Sequence, residues 1–105
     1  MTLNKGERLA EQIDLIYDEY SQALRLQDWL IVNYPEEGEV IEDLKVRLKF
    51  DDHRVAAERV DLNQENPSSV EVDAVFAFGA CVTTILEYCK STKEEMAAFP
   101  TTNGK

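Results

Sequence analysis

The sequence predicts an all-α fold, a small bundle of three main helices plus a short C-terminal helix. Three observations carry this. Apolar residues recur at helical spacing over residues 4–33. Capping patterns stand at Asn4 and Ser68, each with a glutamate three residues on. Residues 68–90 are apolar on more than one face, as a buried helix is. The runner-up is α+β, with a central hairpin over residues 44–62. The 105 residues are expected to form a single domain, 1–105.

The first helix spans residues 4–33. Asn4 caps its start, with Glu7 in capping-box position. Leu9, Ile13, Ile16, Tyr20 and Leu24 form its apolar stripe. Glu7, Glu11, Asp14 and Asp18 fall on the opposite side. In the second half, Leu26, Trp29 and Val32 turn towards the side that carried the acids. They need cover from another helix or another subunit, and are the candidate oligomer interface. Pro35 ends the helix, because the residue before a proline avoids the α region.

Residues 36–62 read as helix, with Ile41, Leu48, Val55 and Leu62 repeating every seventh position. The competing pattern alternates Leu44, Val46, Leu48 and Phe50 with Lys45, Arg47 and Lys49, then turns at residues 51–54. The alanine, lysine, arginine and glutamate content favours helix.

Residues 63–67 are a polar loop. Ser68 and Glu71 cap the next helix, where Val75, Phe78, Val82, Ile85, Leu86 and Cys89 share one face. Phe76 and Ala80 extend it to a second. Gly79, Ala80 and Cys81 are small enough for a neighbouring helix to approach closely. Ser91 and Glu94 repeat the capping pattern, so a fresh short helix is expected over 92–99. Pro100 stops it, and residues 101–105 are read as a frayed tail.

Charge narrows the partners. The chain carries 21 acidic and 11 basic residues, a formal net charge of -10. Such a surface repels free nucleic acid and anionic membranes, and suits a basic protein. Cys81 and Cys89 lie eight residues apart, about 12 Å along a helix, too far to pair. Free core thiols suggest the cytoplasm. Residues 1–9 hold no apolar signal-peptide core, and no run of about 18 apolar residues is present.

No glycine-rich phosphate loop occurs, and the lone histidine, His53, stands beside no marked nucleophile. No catalytic residue is assigned. The leading expectation is a non-enzymatic protein-binding or self-assembling module, of phage or mobile-element type. It would engage a basic protein surface through Glu7, Glu11, Asp14 and Asp18, or pair as a homodimer, with no cofactor.

One pattern points to a different class. Glu39 and Glu42 are three apart, as are Glu58 and Asp61. On facing helices, two such pairs can hold Mg²⁺ and activate water for attack on a phosphate. This ExxE, a gap, then ExxD resembles the MazG-like nucleotide pyrophosphohydrolases, over about a fifth of the chain. The resemblance implies an all-α, Mg²⁺-dependent enzyme with those four carboxylates as metal ligands. The loop at 63–67 departs from that family, which continues from ExxD into an apolar helix.

Overall fold

In a computed structural model, residues 2–98 are described, and four helices account for most of them. They are α1 (Lys5–Asn33), α2 (Glu37–Leu48), α3 (Phe50–Glu58) and α4 (Ser69–Ala98). No strand occurs among the described residues, so the all-α reading holds and the hairpin is overturned.

Both predicted capping boxes form. The Glu7 amide donates to Asn4 Oδ1 at 2.8 Å, and the Asn4 amide donates to Glu7 Oε1 at 3.0 Å. Ser68 and Glu71 repeat the exchange at 3.2 and 3.0 Å. These hydrogen bonds hold the Glu71 carboxyl below its usual range, the Ser68 amide being the largest cause. Its contribution to stability is therefore present above the ordinary carboxylate range and lost as pH falls through the lowered value. Thermal unfolding from neutral to acid pH should show a larger loss for the native chain than for Glu71→Gln.

α1 and α4 run parallel, side by side. Gly79 faces Ile16, where an added Cβ would lie 2.9 Å from Ile16 Cδ1. Thr83 Oγ1 donates to Glu19 at 3.1 Å, and the Lys93 ammonium sits 4.6 Å from the Trp29 ring centre. Of the small residues at 79–81, Gly79 is the one that admits α1 closely, while Ala80 is exposed. The α1 stripe is corrected at one point: Leu24 is exposed and Ala23 is buried instead. Leu9, Ile16, Ala23 and Leu30 recur every seven residues, the repeat of helices wound together in a left-handed seam.

α2 and α3 return along the other flank of α4. Tyr88 Oη donates to Glu37 at 2.5 Å, and the Cys81 thiol reaches the Leu48 carbonyl at 3.5 Å. The expected continuous middle helix is broken at Lys49, whose φ of 55° is left-handed. The break has a packing cause. In one unbroken helix Phe50 would stand nine residues from Ile41, about 900° of rotation and so on the opposite side. The turn at Lys49 re-aims Phe50 inward, and both residues are buried. The Phe50 ring then lies 5.6 Å from those of Phe78 and Tyr20. Holding a lysine there costs about 1–2 kcal/mol, which that burial offsets. The sevenfold repeat stops at the break, leaving Leu62 exposed.

The second capping pattern on α4 is not used. The helix continues through Ser91 and Glu94 to Ala98, so no separate terminal helix starts at 92. The expected stop at Pro100, the end of that helix at Phe99 and the tail at 101–105 lie outside the described residues. Phe76 and Ala80 are exposed, not core, because α1 and α2–α3 cover only two sides of α4. By length and composition α4 meets the test for a membrane-spanning helix, with mean hydropathy 1.6 over 18 residues. Its apolar side packs the bundle core here. Cys81 and Cys89 are buried free thiols, and burial pushes both up in pKa.

Candidate functional site

The long helices make the molecule elongated, 59 × 30 × 16 Å. The side of α1 that faces away from the core is correspondingly long. Counting at 100° per residue, positions 11, 15, 18, 22, 25, 29 and 32 alternate in steps of four and three. They form one straight stripe opposite Leu9, Ile13 and Ile16.

This outer stripe is split in character. Its first half is acidic, where Glu11, Asp14, Leu15 and Asp18 border a shallow depression. Its second half is basic and apolar, where Gln22, Arg25, Leu26, Trp29 and Lys93 border another. Leu15 is 59% exposed, Trp29 37% and Val32 77%. Among the described residues neither Asp18 nor Arg25 takes part in an intrachain ion pair. The stripe thus sets exposed apolar side chains next to these charges.

The predicted acidic residues are placed as follows. Glu11, Asp14 and Asp18 are exposed on this face. Glu7 lies in line with them, but its carboxylate is occupied by the cap at Asn4. Of the predicted interface trio, Leu26 is half-buried against the core, while Trp29 and Val32 remain exposed. Trp29 is held, not loose. Lys93 covers one side of the ring, and Tyr34 lies 6.1 Å away between centroids. Leu15 and Arg25 were missed in the sequence. Their signal was the four–three spacing continued across the helix midpoint.

The four carboxylates of the metal reading do not come together. Glu42 lies 4.0 Å from Lys45, and Arg54 donates to Glu58 at 3.2 Å. Asp61 falls beyond the end of α3, where its Oδ1 accepts from the Asn63 amide at 2.9 Å. The pair Glu58 and Asp61 therefore shares no helical face. Among the described residues, no group of three or more histidine, cysteine or acidic side chains is arranged to hold a metal ion.

A further groove of about 400 Å³ runs between the first turns of α1 and α4. Leu9, Pro67, Val72 and Phe76 wall it, with Lys5 and Arg8 at the rim.

No protein-family model matches this chain, and no curated protein or solved structure is significantly similar to it.

Proposed function

We propose that the protein is a non-enzymatic binding module that docks a protein partner along the outer face of α1. The observation that carries this reading is the pairing on one stripe of an exposed apolar anchor with exposed, unpaired acids. The anchor is Trp29 with Val32, and Lys93 and Tyr34 hold the Trp29 ring in place. A pre-positioned aromatic loses little freedom on binding, and such residues dominate interface energetics. Glu11, Asp14 and Asp18 steer a basic surface towards it and set its orientation. Buried free thiols on one helix suit the reducing cytoplasm.

The test is a titration with a labelled amphipathic helical peptide of lysine and leucine, read by anisotropy. Saturable binding that weakens with salt is expected. The triple variant Glu11→Lys, Asp14→Lys, Asp18→Lys should bind at least about tenfold more weakly. Equal binding by native and triple-variant protein would contradict the reading, as would no binding by the native chain at concentrations where it is monomeric.

A further inference from the structure

The outer stripe of α1 carries opposite characters in its two halves, and they are spaced symmetrically. Asp18 and Arg25 stand equally far from a midpoint between residues 21 and 22. Glu11 and Val32 share that midpoint, and Leu15 and Trp29 centre on Gln22, half a residue away. A second copy of the helix laid antiparallel across the first sets each of these residues opposite its counterpart. The steps of four and three are those by which two helices keep a straight seam in register.

We infer that the partner on this face is a second copy of the chain, paired antiparallel along α1 about a two-fold axis near Gln22. This rests on the docking reading above. In the pair, the acidic depression of one copy covers the basic depression of the other, and the reverse holds by symmetry. Asp18 meets Arg25 twice, and Leu15 packs against the open side of Trp29 twice. Residues 11–32 supply a seam about 32 Å long. Charge selects this arrangement over its rival. A two-fold pairing centred on Trp29 would bring Arg25 and Lys93 of both copies together at one depression. The antiparallel seam neutralises those cations against acids. The chain's net charge of -10 keeps the rest of the two surfaces apart, which makes the pairing reversible and aided by moderate salt.

The test is sedimentation equilibrium on the full chain with three variants, all at exposed positions and each verified as folded by circular dichroism. The native protein should form a reversible dimer. Asp18→Arg and Arg25→Asp each place two like-charge contacts in the seam, and each should weaken dimerisation at least about tenfold. The double variant D18R/R25D exchanges the charges and should return to within about threefold of native. In parallel, Gln22→Cys places one half-exposed thiol beside the axis, Cys81 and Cys89 being buried. It should oxidise readily to a disulfide-linked dimer, while Val70→Cys on the exposed surface of α4 should not. A native chain that stays monomeric, a double variant that stays as weak as the singles, or equal cross-linking at 22 and 70 would each overturn the inference. If the native chain is monomeric yet binds the lysine–leucine peptide, self-pairing falls and the docking face stands. If the peptide also fails to bind, both fall.

Discussion

Replacing Phe78 with alanine should remove about 3–5 kcal/mol of stability, a large part of what a domain of this size has. Phe78 is 2% exposed at the centre of an aromatic cluster. Its ring centroid lies 6.1 Å from Tyr17, 5.9 Å from Tyr20 and 5.6 Å from Phe50, in edge-on or T-shaped arrangements. It thus ties α1, α3 and α4 together at one point. Truncation would leave a cavity on α4 facing three rings on two other helices, and these cannot all collapse into it. Urea unfolding should show a much lower midpoint. The control is Phe76→Ala, two residues away but 51% exposed, which should cost less than about 1 kcal/mol. Similar losses for the two variants would mean that Phe78 is not where the helices meet.

The second large effect is expected at Gly6. The first turn of α1 is pressed against the loop before α4, and the Gly6 amide donates to the Glu65 carbonyl at 3.1 Å. A Cβ added at Gly6 would be driven into the carbonyl oxygen of Gln64. That atom is backbone, so no rotamer change relieves the overlap. Gly6→Ala must part α1 from the loop and should cost about 3 kcal/mol, the upper end for overpacking. Gly38→Ala should have the opposite sign. There the nearest atom, Ile31 Cγ1, lies 3.7 Å from the new Cβ, an ordinary contact. Alanine is the better helix former, so a gain of about 0.5–1 kcal/mol is expected. Chemical denaturation of the two single variants compares one substitution in two settings. Two losses of equal size would contradict this account of the loop contact.

The sequence was most readable where local chemistry decides the outcome. Asn4 with Glu7 and Ser68 with Glu71 start helices where expected, and α1 ends before Pro35. The same chemistry misled at Ser91, which has Glu94 three residues on. Ser68 follows the break at Pro67, whereas nothing before Ser91 interrupts the helix, so the pattern is bypassed. The turn at Lys49 had no local signal, because lysine does not favour a positive φ. It is imposed by the need to bury Ile41 and Phe50 on one side, which only the assembled core reveals. Leu24 was misplaced for a related reason. Steps of three and four do not show whether a stripe follows 3.6 or 3.5 residues per turn, and the parallel partner α4 selects the latter. The carboxylate pattern at residues 39–61 failed on geometry. Asp61 lies past the last turn of α3, so matching letters do not become a shared face.

The proposed docking face was half visible in the sequence. The acids and Trp29 stood out by type and by helical position. Their joint meaning depends on α1 being one straight helix across its midpoint, with Ala23 in place of Leu24 turned to the core. That arrangement puts Leu15, Asp18, Arg25 and Trp29 in line.

Trp29 is the only tryptophan in the chain and lies on the proposed seam, so its emission reports directly on whether that face is covered. The most direct measurement is its emission maximum over a dilution series of the native protein at moderate salt. Trp29 should be blue-shifted and covered when the protein is concentrated, with a progressive red shift on dilution. Asp18→Arg should stay at the dilute value throughout. An emission maximum that does not change with concentration and is identical in the two proteins would contradict the pairing.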